Sequence, residues 1–361
     1  MNVTVVGGGN IGTQFAVRCS AHGHKVTVFT SKVGTFLSEV KEVDADGAVV
    51  SVGTVDCITY NPSVAVKNSD VVFITTPAFL AKELAEKLLP YIENGTKIFF
   101  IPGSGGMEWA FKAALGKGCS LYGLQRVPSV TRLKGNGLVY CEGYRDRLFI
   151  ASLPKSEAQF GKEMLECLFD IPCDVMDNYL NVTMVPSNPI LHTCRLYLLF
   201  NDYSAGKVYH RIPLFYQEWT DETSDLLLKC DDEVQSICGK IRELSGFDMS
   251  GVKSLKEHYE SYTVKEMTDK IKSIKGFQGL QTPSIPKGNG YVPDFDSRYF
   301  TADFPYGLKL LCEIARLSRV DTPYMNTVLA WYNKLSPNRP CFDFSDYGIE
   351  TYNRFSEFYA K

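Results

Sequence analysis

The stretch Val3-Thr4-Val5-Val6-Gly7-Gly8-Gly9-Asn10-Ile11-Gly12 decides the fold of this chain. A run of β-branched residues predicts a buried strand, the pattern G-x-G-x-x-G follows it directly, and residues 13–21 are compatible with a helix. In this order, Gly7 permits a tight turn, Gly9 lets a pyrophosphate approach the backbone, and Gly12 lets the helix pack on the strand. The context therefore predicts a dinucleotide site rather than an ordinary glycine-rich turn.

The end of the second predicted strand, Lys25–Phe29, bears on which dinucleotide binds. NAD-selective sites usually place Asp or Glu there, about 20 residues after the glycines, to bind the ribose 2′-hydroxyl. This chain has Thr30-Ser31-Lys32 instead, two hydroxyls and a cation that suit a 2′-phosphate. The residues favour NADP(H), and NAD(H), with Lys32 simply solvated, remains the alternative.

Bulk composition limits the class of protein. The 361 residues suggest two domains, and 45 % hydrophobic with 22 % charged residues is ordinary for a globular chain. A net charge of −3 without a basic block argues against nucleic-acid and membrane partners. No apolar run has transmembrane length and no signal peptide precedes the first strand, so we expect a cytoplasmic protein. The eleven cysteines include no zinc-type spacing, so we expect reduced thiols and no metal site.

Strands alternate with helices through the first half of the chain, which predicts a parallel sheet covered on both faces. Residues 48–60 are expected to form an inserted hairpin, and Gly276–Pro293 a long loop. Past Lys155, long amphipathic segments dominate. The predicted architecture is an α/β Rossmann-type dinucleotide-binding domain over residues 1–180 and a mostly α-helical domain over residues 181–361.

His192 is the histidine whose surroundings are best specified. Asn188 and Pro189 predict a helix start, with Asn188 as N-cap and Pro189 at the first helical position. His192 would then lie in the first turn or just past it, where the helix dipole disfavours an imidazolium and a neighbouring carboxylate would have to hold the proton. Such an imidazole exchanges protons near working pH. Taken alone, however, a buried and hydrogen-bonded core histidine is the more common outcome.

A second cluster of candidate residues lies in the segment 293–308. Arg298 offers a planar fork suited to a carboxylate, and an ion pair within the protein is the alternative. Asp303 precedes Pro305 and a predicted helix, so that its spacing fits a helix N-cap at least as well as a catalytic carboxylate.

Several blocks of this sequence together resemble the opine dehydrogenases, and the resemblance covers nearly the whole chain. These blocks are Thr75-Thr76-Pro77-Ala78-Phe79, Val127-Pro128 with Arg132, Pro213-Leu214-Phe215-Tyr216-Gln217, Lys275-Gly276-Phe277-Gln278-Gly279-Leu280, Val292-Pro293-Asp294-Phe295 with Ser297-Arg298-Tyr299, and Asp303-Phe304-Pro305-Tyr306-Gly307. The resemblance implies reductive condensation of an amino acid with a 2-oxo acid, using NADH or NADPH. It implies that His192 is catalytic, that Asp303 is paired with it, and that Arg298 binds a substrate carboxylate.

The remaining expected site residues are a second arginine and the cofactor contacts. Arg132 is the second candidate for a substrate carboxylate. The expected cofactor contacts are Gly7, Gly9, Asn10, Ile11, Gly12, Thr30, Ser31, Lys32, Thr76 and Pro77. We expect the reaction in the crevice at the carboxyl ends of the sheet strands, covered by the helical domain.

Two departures from the family pattern affect the expected substrate more than the reaction. Ala302 stands where relatives can carry an acid, and Thr193-Cys194-Arg195 after His192 is unlike the expected segment. One alternative is a hydroxy-compound dehydrogenase related to the glycerol-3-phosphate or ketopantoate reductases, which usually rely on a lysine. The other is a non-catalytic NAD(P)-binding sensor. The amino acid, the product stereochemistry and the oligomeric state are not defined by these residues.

Overall fold

A computed structural model describes all residues from 1 to 361. The chain divides into two compact units, Met1–Thr183 with Glu357–Lys361, and Met184–Ser356. Relative to the expected domains of residues 1–180 and 181–361, the difference lies mainly in the last five residues. They join the first unit because they bury aromatic side chains there: Trp109 packs on Phe358 with ring centroids 4.1 Å apart and donates from Nε1 to the Tyr359 hydroxyl at 2.7 Å.

The first unit contains twelve strands and six α-helices. The strands are β1 (Asn2–Val6), β2 (Lys25–Phe29), β3 (Glu39–Val43), β4 (Val49–Thr54), β5 (Cys57–Thr59), β6 (Val71–Ile74), β7 (Lys97–Phe100), β8 (Ser120–Leu124), β9 (Ser129–Gly135), β10 (Leu138–Tyr144), β11 (Leu148–Leu153) and β12 (Cys173–Val175). The helices are α1 (Asn10–Ala21), α2 (Pro62–Val66), α3 (Ala81–Leu88), α4 (Met107–Ala110), α5 (Ala158–Phe169) and α6 (Leu180–Thr183).

The main sheet has eight strands in the order β12-β11-β8-β7-β6-β1-β2-β5. All neighbouring pairs are parallel except β11 with β8. The central strands are buried, and β6 is buried at all four residues, because helices cover a parallel sheet on both faces. The predicted Rossmann-type α/β fold is therefore confirmed.

The inserted hairpin lies elsewhere than predicted. Residues 48–60 do not pair with each other: β4 pairs antiparallel with β3, and β5 joins the main sheet beside β2. β3 and β4 belong to a second sheet in the order β4-β3-β10-β9. The prediction failed because β4 pairs with Glu39–Val43, a charged strand without an apolar strand pattern. Its Glu42 is buried and accepts hydrogen bonds from Gln14 and Arg18 of α1.

The second unit is mostly helical, as predicted. Its helices are α7 (Ser187–Phe200), α8 (Asp221–Ser245), α9 (Leu255–Tyr259), α10 (Val264–Ser273), a π-helix (Tyr299–Leu308), α11 (Lys309–Ser318), α12 (Pro323–Leu335) and α13 (Tyr352–Tyr359), whose end belongs to the first unit. The segment predicted as a long loop, Gly276–Pro293, contains a hairpin of β13 (Ser284–Lys287) and β14 (Gly290–Pro293). None of the helices has the length and apolar character needed to span a membrane.

Glu108 is a carboxylate buried in the first unit. The residue is 0 % exposed, and its Oε1 accepts hydrogen bonds from the Tyr359 hydroxyl at 2.6 Å and from Thr183 Oγ1 at 2.7 Å, while Oε2 has no partner. Burial raises the pKa of Glu108 to about 7, although the two hydrogen bonds oppose that rise. Glu108 therefore holds its proton in the folded protein at pH values where the unfolded chain has lost it.

We expect Glu108→Gln to flatten the pH dependence of stability. The unfolded carboxyl loses its proton near pH 4.5 and the folded one near pH 7. The folded state binds more protons between these values, so the contribution of Glu108 to the free energy of unfolding falls as pH rises, by on the order of 3 kcal/mol in total. Glutamine mimics the neutral acid. Urea unfolding at pH 5 and pH 8 measures this change.

Glu86→Gln is the matched control, because Glu86 is an exposed carboxylate of the same unit. It should follow the pH dependence of the wild type. Identical pH dependence of all three proteins would contradict the assignment of a buried, protonated Glu108.

Candidate active site

The glycine-rich turn has the geometry of an anion cradle. Helix α1 begins at Asn10, Gly9 is its N-cap, and no side chain caps its first turn. Gly7 has φ +116°, and a Cβ on Gly12 would lie 1.9 Å from the Gly7 carbonyl oxygen, so both positions demand glycine. A Cβ on Gly9 would meet nothing within 4 Å. Open space therefore lies over Gly9, beside the uncapped N–H groups of Asn10 and Ile11.

Side chains around this turn fit a dinucleotide. The Thr76 hydroxyl, next to Pro77 after β6, is buried without a hydrogen-bond partner. Such a group is rare in proteins unless a ligand or water supplies the hydrogen bond. Thr30 Oγ1 accepts from the Lys32 N–H at 3.2 Å, while the Ser31 and Lys32 side chains are exposed. No carboxylate follows β2, so nothing there repels a 2′-phosphate.

Arg132 lies in the first unit, on β9. Its neighbour Leu133 donates its backbone N–H to Asn10 Oδ1 at 3.1 Å, which places the strand against the glycine-rich turn. Its exposed guanidinium donates from Nη1 to the Thr131 carbonyl at 3.0 Å. Arg132 is thus local to the predicted cofactor turn, whereas His192, Asp303 and Arg298 are all in the second unit.

His192 lies in the second turn of α7, just past the first turn, which is one of the two positions expected for it. The helix begins at Ser187 after Pro186, so Asn188 is not the N-cap and Pro189 is the third helical residue. The prediction of the helix start was wrong because proline is tolerated throughout the first turn, where its missing N–H has no intrahelical acceptor. His192 is buried in this helix and is 8 % exposed.

Asp303 lies inside the π-helix Tyr299–Leu308 and is not an N-cap. Pro305 falls within the same helix and has no N–H to donate, a feature that disrupts regular α-helical bonding. A Cβ on Gly307 would lie 3.1 Å from Pro189 Cβ, so this glycine lets the π-helix approach α7 closely. The N-cap interpretation of Asp303 is therefore wrong.

His192 is held at both ring nitrogens. Asp303 Oδ2 lies 2.7 Å from Nδ1, and the Tyr216 hydroxyl lies 2.7 Å from Nε2. A carboxylate only accepts hydrogen bonds, so Nδ1 carries a proton, and the neutral ring leaves the Nε2 lone pair towards Tyr216. The Tyr299 ring lies 4.5 Å from the imidazole, centroid to centroid. An imidazole oriented by a carboxylate in this way can exchange protons with a substrate.

Tyr216, like Tyr299, is a member of this cluster that the sequence did not identify as a site residue. It is 3 % exposed, and burial is the largest cause that raises its pKa well above the ordinary value, with Tyr299, Tyr259 and Asp303 adding to it. Its block, Pro213–Gln217, was noticed only through the family resemblance. No periodicity relates a loop tyrosine to a histidine 24 residues earlier, so only the fold reveals their contact.

Arg298 is exposed at the start of the π-helix, one residue before Tyr299. Its guanidinium makes no hydrogen bond or ion pair within the chain. The alternative of an internal ion pair is therefore wrong. A free planar cation next to the residue that packs on His192 suits a substrate carboxylate.

Two family models match this chain. Residues 175–336 match the model for NAD/NADP octopine/nopaline dehydrogenase, alpha-helical domain. Residues 3–155 match the ketopantoate reductase PanE/ApbA model. The first match spans most of the helical unit and includes His192, Tyr216, Arg298 and Asp303.

Similar proteins and structures cover most of the chain. Tauropine dehydrogenase from Arabella iricolor is 28 % identical over 294 residues, 77 % of this chain and 74 % of that protein. Octopine dehydrogenase from Mizuhopecten yessoensis is 27 % identical over 356 residues, 92 % of this chain and 89 % of the other. A structure of octopine dehydrogenase with NADH and L-arginine has a TM-score of 0.85 at 23 % identity, covering 98 % and 97 % of the two chains.

Proposed function

This chain is a member of the opine dehydrogenase family, and we propose that His192 and Asp303 carry out its proton transfers. The enzyme is an NAD(P)-dependent dehydrogenase that condenses an amino acid with a 2-oxo acid through an imine. The observation that carries the assignment of residues is the 2.7 Å contact between His192 Nδ1 and Asp303 Oδ2, made across 111 residues of sequence.

The first chemical task is loss of water from the adduct of amine and 2-oxo acid. His192 supplies the proton that turns the adduct hydroxyl into water, and Asp303 stabilises the imidazolium before that proton is delivered. His192 is buried and the Asp303 side chain is 19 % exposed, so the pair admits little bulk water, which favours the imine over its hydrolysis. A reduced nicotinamide dinucleotide, held at the glycine-rich turn of residues 7–12, would supply the hydride for the imine carbon.

Arg298 binds a substrate carboxylate in this proposal, because both reactants carry one and this guanidinium has no partner in the protein. We expect Arg298→Ala to raise the KM for one of the two substrates by roughly 10- to 100-fold, because the substrate carboxylate would lose one or two charge-assisted hydrogen bonds. Arg298→Lys should recover only part of the affinity, since an ammonium lacks the planar fork. Initial rates with each substrate varied in turn measure the effect.

The exposed Arg319, on the same unit but in a helix C-cap, offers a matched control as Arg319→Ala. That variant should leave both KM values unchanged. If Arg298→Ala also leaves both unchanged, Arg298 is not the carboxylate ligand.

The cofactor turn takes NADP(H) in preference to NAD(H) in our proposal. Support comes from Thr30-Ser31-Lys32 after β2, where no acid stands. The matching family model includes both cofactors, so the family does not decide between them. Initial rates with NADH and NADPH at equal concentrations test the preference: we expect the lower KM for NADPH. A lower KM for NADH would overturn it.

The overall reaction is tested by following cofactor oxidation with pyruvate, 2-oxoglutarate or glyoxylate against a panel of amino acids. We expect oxidation to require both an amino acid and a 2-oxo acid. Oxidation by the 2-oxo acid alone at the full rate would favour a hydroxy-compound dehydrogenase. Cofactor binding without oxidation in any mixture would favour a sensor.

A further inference from the structure

Neither ring nitrogen of His192 is open in this structure. Nδ1 is bonded to Asp303 and Nε2 to the Tyr216 hydroxyl, both at 2.7 Å. A substrate therefore meets Nε2 only by displacing the hydroxyl or by exchanging its proton through that hydroxyl. The way Tyr216 is held decides between these two routes.

The segment around Tyr216 is fixed by the buried Arg195. Its guanidinium donates from Nε to the Phe215 carbonyl at 3.0 Å, and from Nη2 to the Glu218 carbonyl at 2.7 Å and the Leu214 carbonyl at 3.4 Å. Arg195 is 2 % exposed, and it lies on α7 one turn after His192. The helix that carries the imidazole therefore also anchors the backbone that carries the phenol.

The phenol ring itself is packed among other aromatic rings. It stacks on Phe277 with ring centroids 4.0 Å apart and an interplanar angle of 15°, and it lies parallel to Trp219 at 6.2 Å. Phe215 N–H donates to the Leu280 carbonyl at 2.9 Å, which ties this segment to the one carrying Phe277. Displacement of the Tyr216 hydroxyl would disturb all these contacts, so exchange through the hydroxyl is favoured.

A hydroxyl can serve His192 in both protonation states. It donates to Nε2 of the neutral imidazole, and it accepts from the Nε2–H of the imidazolium. In the second state the phenol's own O–H turns away from Nε2, and Tyr299, whose side chain also hydrogen-bonds Tyr216, is one acceptor beside it. A phenylalanine could do neither, and in a buried site an unpaired ring nitrogen is costly.

We propose that the Tyr216 hydroxyl relays the proton between Nε2 of His192 and the substrate, an inference that rests on the proposed function. Before dehydration His192 is the imidazolium, because Nε2 has taken a proton from the amine that added to the 2-oxo acid. During dehydration the Nε2–H bond breaks and an O–H bond forms at Tyr216. The phenol's original proton passes to the hydroxyl of the amine–oxo acid adduct, whose C–O bond breaks to release water while the nitrogen lone pair forms the C=N bond of the protonated imine. Tyr216 ends as a neutral phenol and His192 as a neutral imidazole.

Tyr216→Phe tests the relay because it keeps the stacked ring and removes only the hydroxyl. We expect kcat to fall by roughly 10- to 100-fold, as for loss of a hydrogen bond to a charged group, with the cofactor KM unchanged. The double variant with His192→Ala should be no slower than His192→Ala alone, because both changes break one proton path. The control is Tyr352→Phe, which loses a 2.6 Å hydroxyl contact to Ser245 in the same unit and should retain full kcat.

A second measurement is independent of turnover. In ¹⁵N-histidine spectra, the Nε2 resonance of His192, assigned by its absence in His192→Ala, should shift in Tyr216→Phe and not in Tyr352→Phe. Full kcat in Tyr216→Phe, additive losses in the double variant, or an unshifted Nε2 resonance would each overturn the relay while leaving the proposed function intact. Absence of amine-dependent oxidation in the wild type would instead overturn the proposed function and with it the relay.

Discussion

Replacement of His192 by alanine is expected to lower kcat by about 100-fold or more. In our proposal the imidazole gives and takes the proton, and Asp303, 2.7 Å from Nδ1, orients it and stabilises its charged form. Cofactor affinity should not change, because the glycine-rich turn belongs to the first unit and His192 to the second. Steady-state turnover with a substrate pair that the wild type uses, together with cofactor titration, measures both quantities.

His210→Ala is the control for this variant. His210 is exposed in the same unit, without a hydrogen bond to another side chain, and its loss should leave turnover unchanged. Thermal unfolding should show both variants folded. Turnover of His192→Ala within a factor of two of the wild type would remove His192 from the mechanism.

Alanine at Gly12 should destabilise the protein much more than alanine at Gly9. The Cβ at position 12 would overlap the Gly7 carbonyl oxygen at 1.9 Å, and we expect a loss of roughly 3 kcal/mol or more in the free energy of unfolding. Gly9 has φ −94° and ψ −165°, allowed for alanine, and its Cβ would meet no atom of the protein. Gly9→Ala should therefore cost about 1 kcal/mol or less, the usual N-cap difference.

The same pair separates folding from cofactor binding. A methyl group on Gly9 would stand where we place the pyrophosphate, so Gly9→Ala should bind the dinucleotide roughly tenfold more weakly or worse while remaining stable. Urea unfolding and cofactor fluorescence titration measure the two effects. Normal cofactor affinity in a stable Gly9→Ala protein would show that the cofactor does not lie over Gly9.

The fold of the first unit was predictable because its signals are local. The strand before Gly7, the turn and helix α1 are contiguous, and a strand such as β6 is recognisable from its apolar run. The inserted hairpin was misplaced because its pairing partner, β3, is charged and is buried through the contact of Glu42 with α1 rather than through apolar side chains.

The site was predictable only in part. The family resemblance implied that His192 and Asp303 form a pair. Spacing alone placed His192 near a helix start, and it fitted Asp303 to a helix N-cap at least as well as to a catalytic carboxylate. The structure brings the two side chains into contact through tertiary effects: a helix that begins two residues before Pro189, and a π-helix around Pro305 whose Gly307 fits against α7. The contact of Tyr216 with Nε2 depends on Arg195 fixing a loop, which no local pattern encodes.

The most direct test of a reductive condensation at the His192–Asp303 pair traces the two bonds that the reaction forms, the C–N bond and the C–H bond. Wild-type enzyme is given a cofactor dideuterated at nicotinamide C4, a ¹⁵N-labelled amino acid and its 2-oxo acid partner, and the product is analysed by mass spectrometry and NMR. We expect deuterium on the carbon that also carries ¹⁵N, and no such product from His192→Ala at the same enzyme concentration and time. Deuterium in a hydroxy acid without ¹⁵N, or equal product from His192→Ala, would contradict the account.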